Sequence, residues 1–247
     1  SNMRYAPGGA IALAGTATGV NAMVLDGPTA IDLTGPANGL ELTSGTLLAA
    51  GAGNHSISGW TALTTGSTRD YTVYVTTAAS SLTINSPLTT AAPLVKAGAG
   101  SVVLTSASNT FTDLVLNQGS IVPSSNAVLG SGTLQFMGGG VRLGATYVDD
   151  LSAKTWSVGT GGGGIDVSLV TAGTTWGNGL DDATPSAADS LNIVTRSATA
   201  GTTGLLTIQG SSTFTGTTIF NQTANTGGTT SVILNGDTNA TINGNLQ

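Results

Sequence analysis

The chain contains no cysteine, which removes disulfides and every thiolate-ligated metal site. Only 7% of its 247 residues are charged, against about 25% in an average globular domain. The basic residues are Arg4, Arg69, Lys96, Arg142, Lys154 and Arg196, and they are scattered. No basic stripe exists to neutralise phosphates, so nucleic acid is not an expected partner. The same scarcity argues against electrostatic attachment to anionic lipid. No run of about 18 apolar residues occurs, so no helix of this chain is expected to insert into a membrane. Histidine occurs once, at His55, and Ser–His–Asp catalysis or a His-rich metal site would have to use it. The surrounding Gly53-Asn54-His55-Ser56 has the composition of a turn, and His55 is read as an exposed turn residue.

What the chain has instead is glycine, 37 residues of it, and 39% hydrophobic residues. Disordered chains combine low hydrophobicity with high net charge; here the net charge is −6 and the Val, Ile and Leu residues alternate, so the chain is expected to fold. Glycine and β-branched residues disfavour helix. Threonine and serine on a strand surface supply strand propensity and hydrogen bonding together. Short strands are predicted at Ala10–Leu13, Met23–Leu25, Ala30–Leu33, Leu40–Leu42, Thr46–Leu48, Tyr71–Val75 and Leu82–Ile84. Later ones are predicted at Leu191–Val194, Leu205–Ile208, Thr217–Phe220, Ser231–Leu234 and Ala240–Ile242. Comparable turns recur at about 18–25 residues, the spacing of solenoid turns.

From Leu94 to Leu143 the alternation is clearest: Val102, Leu104, Leu114, Leu116, Ile121, Leu134 and Phe136 occupy alternate positions of short runs. Period-two alternation turns one face of each run inward. Strands this short bury enough surface only when each lies against the next. Lys96, Gly98, Gly100, Leu104, Asn109, Thr110, Phe111, Thr112, Gly119, Leu129, Gly130, Gly132 and Leu134 fall on the outline of a known repeat. The segment resembles the autotransporter-associated β-strand repeat of bacterial passenger proteins. Ser101-Val102 replaces the Thr-Leu of that outline, and Asp113 stands where the family often has Gly. Gly210–Gly216 echoes Ser106–Thr112 as a weaker second copy. The resemblance implies an all-β, right-handed parallel β-helix, elongated and with almost no helix. Lys96, Gly98, Gly100, Asn109, Phe111, Gly119, Gly130 and Gly132 would then be structural residues of the repeat.

Candidate chemistry is sparse. Asp149-Asp150 and Asp181-Asp182 are the adjacent acid pairs, but neighbours on a strand point to opposite faces, so neither is a ready catalytic dyad. A cluster built from successive turns would draw on Asp166, Asp181, Asp182 and Asp189. Gly161–Leu169 approaches a Ca²⁺-binding nonapeptide, with Ser168 where a large apolar residue belongs and no tandem copy to complete coordination. Weak surface Ca²⁺ on Asp166, Asp181, Asp182 or Asp189 is the metal candidate; no other cofactor is expected. Gly159–Gly164 lacks the Lys-Ser/Thr and helix of a phosphate loop. Trp60 and Trp156 are read as core or end-packing residues. Trp176, in the polar stretch 171–190, is the candidate for stacking on a sugar.

Residues 1–3 read as a cloning remnant, and residues 4–247 as one solenoid domain with a projecting loop at about 171–190. The functional expectation is a non-enzymatic structural or adhesive fragment of a bacterial secreted or cell-surface protein, extracellular and attached to the outer membrane through its parent. A host-surface or carbohydrate ligand and end-to-end self-association are the expected partnerships. The alternatives are a polysaccharide-depolymerising enzyme using turn-spaced aspartates, and a carbohydrate-binding module around 171–190.

Overall fold

Alternation along the sequence becomes stacking in space. The computed structural model describes residues 2–6, 8–13, 19–66, 69–170, 174–178, 182–184, 186, 188–196, 204–209, 213–223 and 230–235. The chain is a parallel β-solenoid of about eight turns, 50% strand and 4% helix. It forms two compact units, residues 1–122 with 127–132, and residues 123–126 with 133–247.

In the first unit successive turns contribute strands to two parallel sheets. The first sheet runs Met3–Tyr5, Gly19–Asp26, Gly39–Ala50, Tyr71–Val75, Leu94–Ala97, Leu114–Leu116. The second runs Gly9–Ala12, Ile31–Thr34, His55–Ser58, Ser81–Ile84, Ser101–Leu104, Ser120–Pro123. Register stacks Ile11, Leu33, Ile57, Ile84 and Leu104 in one column, and the last four are fully buried. Burial of each such side chain is worth about 1.5–3 kcal/mol, so the column, and not any single strand, supplies the stability. Met3, within the stretch that reads as a cloning remnant, opens a strand and pairs with Met23.

Gly39–Ala50 serves two neighbours. Its first half pairs Leu40 with Leu63 of Ala62–Thr65, and its second half pairs Leu47 with Val73. Gly45 bends the strand between them at φ 70°.

The repeat residues mark places of close approach. Gly119 lies at φ 68°, and a Cβ there would stand 2.3 Å from Gly100 O and 2.5 Å from Gly98 O. Gly98, at φ 75°, presses on Val75 O in the same way. Phe111 is buried under Gly130, where a Cβ would come within 2.5 Å of its ring. Gly132 rides on Thr112 O, and Gly100 on Val75 and Thr77. Asn109 is buried; its Oδ1 accepts from Leu88 N at 2.9 Å and its Nδ2 donates to Val128 O at 2.9 Å.

In the second unit, Leu134–Phe136 pairs with Trp156–Val158. Gly140–Arg142, Gly163–Asp166, Ser190–Arg196 and Thr217–Thr223 form a parallel sheet whose column is Val141, Ile165, Ile193 and Phe220. A third sheet joins Thr174–Trp176, Gly204–Gln209 and Thr230–Asn235. The stretch 171–190, expected to project as a loop, therefore contributes a strand, with Thr174 opposite Leu206 and Trp176 opposite Ile208. Tertiary pairing with a strand some thirty residues later overrides its polar composition. The predicted strand Ala240–Ile242 lies outside the described residues.

Candidate functional site

Period-two alternation is indifferent to polarity: a polar residue two positions from a buried leucine faces inward with it. In Leu94–Ala97, Leu94 and Lys96 share the inward face. Register places Lys96 in the column Met23, Leu47, Val73, Lys96, Leu116, and its side chain is fully buried. The ammonium donates to Ala97 O at 2.8 Å, Gly98 O at 2.7 Å and Gln118 O at 3.0 Å. Three donors meet three acceptors, which is the full capacity of a lysine. Burial nevertheless pulls the Lys96 pKa down from 10.5 to about 8, because the charged form loses its hydration.

His55 follows the same rule. It shares an inward face with Ile57 and is buried, which corrects its reading as an exposed turn residue. Nδ1 accepts from Ile31 N at 3.1 Å, and Nε2 stands 3.0 Å from Ala50 O. An Nε2–H tautomer satisfies both contacts. Ser80 Oγ donates to Gly51 O, and Ser86 Oγ accepts from Trp60 N. With Asn109, each of these buried polar groups is bonded to main chain of an adjacent turn.

Asp149, Asp150, Asp166 and Asp182 of the second unit likewise accept from backbone amides. Asp149 Oδ2 accepts from Asn126 N at 2.6 Å. Asp150 Oδ1 accepts from Ser152 N and Oγ, and its Oδ2 from Gly177 N at 2.7 Å. Asp166 pairs with Arg142 Nε at 3.0 Å and accepts from Ser168 N at 2.9 Å. Asp182 Oδ1 accepts from Thr184 N at 2.9 Å and Val158 N at 3.3 Å. Asp182 and Asp189, expected from the sequence as surface metal ligands, are only 5% and 3% exposed. In each the Oδ2 is buried without a hydrogen-bond partner. Among the described residues no group of three or more His, Asp or Glu is placed to hold a metal ion. Asp181 lies outside the described residues.

Trp176 is 0% exposed. Its ring meets Trp156 edge-on, with centroids 5.6 Å apart at 86°, and Trp156 meets Phe136 at 6.0 Å and 71°. A ring sealed in such a stack has no face to offer a sugar, which corrects the stacking role expected of Trp176. Trp60 and Trp156 are buried core residues.

An open groove of about 550 Å³ in this unit is walled by Lys154, Trp156, Asn178, Asp182 and Thr213. Its lining is mainly polar. Burial lowers the Lys154 pKa below the usual lysine value, while Asn178 Nδ2 is held by Ser152 O at 3.2 Å. No family model, curated protein or solved structure matches this chain. The functional reading therefore stands on this geometry and on the repeat residues.

The sequence points to Trp176 and the aspartates, and it does not single out Lys96 and His55 as buried, bonded groups. The signal is present in both cases: the inward phase set by Leu94 and by Ile57.

Proposed function

We propose that the chain is a non-enzymatic structural segment, with an adhesive role, of a bacterial secreted or cell-surface protein of the autotransporter kind. The observation that carries this reading is the use made of inward polar side chains. Lys96, His55, Asn109, Ser80 and Ser86 hold the backbone of stacked turns, and Asp149, Asp150 and Asp182 cap backbone amides. Stacked turns provide an extended surface whose loops vary without disturbing the core. A host-surface or carbohydrate ligand outside the cell and stacking of chains end to end are the partnerships of this reading.

Folded protein incubated with neutral and acidic polysaccharides is expected to release no reducing ends and no unsaturated products. Release that Asp182→Asn abolishes would contradict the proposal. Beads coated with the chain are expected to adhere to host-cell surfaces; adhesion no greater than that of albumin-coated beads counts against the adhesive part.

A second reading, a saccharide-binding module, is favoured by the open polar groove. Mixed donors and acceptors without an exposed aromatic face suit weak recognition of hydroxyl-rich ligands. Saturation-transfer signals from neutral oligosaccharides that vanish in Asn178→Ala would support it, and silence across the panel would end it.

A further inference from the structure

Alternation fixes which residues of a strand face inward, but it leaves the register ambiguous by steps of two. Sliding one turn over the next by two residues keeps every inward residue inward. Parallel ladder hydrogen bonds also repeat at that interval. Between Leu94–Ala97 and Leu114–Leu116 the ambiguity is acute. The observed pairs are Leu94 with Leu114, Val95 with Val115 and Lys96 with Leu116. A slip by two sets Leu94 opposite Leu116, or Lys96 opposite Leu114, so apolar contact alone barely separates the alternatives.

Two features of the Lys96 site are not indifferent. The bond from Nζ to Gln118 O crosses between turns, and a two-residue slip carries that carbonyl about 6.6 Å away. The ammonium would then be buried one acceptor short, which costs more for a charged group than for a neutral one. The second feature is shape. A Cβ on Gly119 would stand 2.8 Å from Nζ, so the ammonium occupies the space that a side chain at 119 would fill. Slipping by one or two residues brings a residue with a Cβ toward this place, since Gln118, Ser120 and Ile121 flank Gly119.

We infer that Lys96 selects the register of its turn against the next, its ammonium fitting only where Gln118 O and the bare backbone of Gly119 lie beside it. Buried polar groups placed among apolar neighbours serve this purpose in other assemblies, where one polar residue specifies register at some cost in stability. The column of Lys96 is otherwise apolar: Met23, Leu47, Val73 and Leu116.

The chain has no cysteine, so an engineered pair reports register without interference. Val95→Cys with Val115→Cys joins residues opposite each other in the observed register. Val95→Cys with Asn117→Cys joins residues that meet only after a slip of two; in the native register their Cα atoms are about 8 Å apart, beyond disulfide reach of about 7 Å. Each pair is refolded from denaturant under oxidising conditions, and the crosslink is quantified by mass spectrometry. With Lys96 present, the 95–115 disulfide is expected to form and the 95–117 disulfide to stay below about one-tenth of it. In Lys96→Met the 95–117 disulfide is expected to rise at least tenfold, as loss of roughly one charged hydrogen bond implies. Strict 95–115 crosslinking in Lys96→Met, with or without a lower melting temperature, overturns the inference, because Lys96 would then stabilise without selecting. Lys96→Gln, which keeps two donors on a shorter stem, is carried in parallel. If Lys96→Met forms neither crosslink, the slip is read in Lys96→Gln. There a rise of the 95–117 disulfide supports register selection, and strict 95–115 crosslinking overturns it.

Discussion

Raising the pH from 7 to about 9.5 should stabilise the turns around Lys96, contrary to the usual effect of alkali. The folded chain holds the Lys96 proton with a pKa of about 8, and the unfolded chain with the ordinary 10.5. Below pH 8 both states are protonated, and the folded state bears the whole cost of the buried charge. Between about pH 8 and 10 the folded chain has released the proton and the unfolded chain has not, so unfolding takes one up. Each pH unit in that window then adds about 1.4 kcal/mol, or about 2 kcal/mol by pH 9.5. Above pH 10 the sign reverses, because Tyr71 is fully buried and its pKa is raised by desolvation. The unfolded tyrosine ionises first, and stability falls as the pH climbs further. Urea unfolding followed by circular dichroism at constant ionic strength measures the effect. Lys154 contributes with the same sign, so the difference between wild type and Lys96→Met isolates Lys96. A flat wild-type profile from pH 8 to 9.5, or a slope unchanged in Lys96→Met, would refute the reasoning. It would mean that the three carbonyls hold the ammonium as strongly as water does.

Three substitutions probe other parts of the stack. Gly119→Ala forces a side chain into positive φ and into Gly98 O and Gly100 O, and should lower the urea midpoint by the equivalent of at least about 2 kcal/mol. His55→Leu keeps the volume but strands the Ile31 N–H; a loss of about 1–3 kcal/mol is expected, and an unchanged midpoint would show that the imidazole bond contributes nothing. Trp176→Ala empties the edge-to-face stack with Trp156 and should cost about 3–5 kcal/mol, whereas loss of an exposed ring would leave the thermal midpoint where it was.

The strands are legible in the sequence because their physics is local. Tyr71–Val75 begins and ends where alternation and β-branching say it should. Leu40–Leu42 and Thr46–Leu48 look in sequence like separate faces of one turn; they are halves of a single bent strand serving two partners. Side-chain fates are less legible. His55 is deceptive because Gly53 and Asn54 look like a turn, although its phase with Ile57 is enough to turn it inward. Trp176 is deceptive because the strand that buries it, Gly204–Gln209, comes far later in the chain. Asp182 is held by the amides of Val158 and Thr184, and no pattern around residue 182 reveals the first of these. Composition reports how much polar surface a chain has, while only the stacked register reports which polar groups are spent inside it.

Lys96, His55, Asn109, Ser80 and Ser86 bind the backbone of neighbouring turns, and the ammonium of Lys96 is the most exacting case. Nitrogen-15 NMR of the lysine side chains tests it directly, since Lys96 and Lys154 are the only lysines. A caged ammonium predicts one lysine resonance near neutral pH whose protons exchange slowly with water, and its disappearance in Lys96→Met. Fast exchange at both lysines would place the Lys96 amine in solvent and contradict the account.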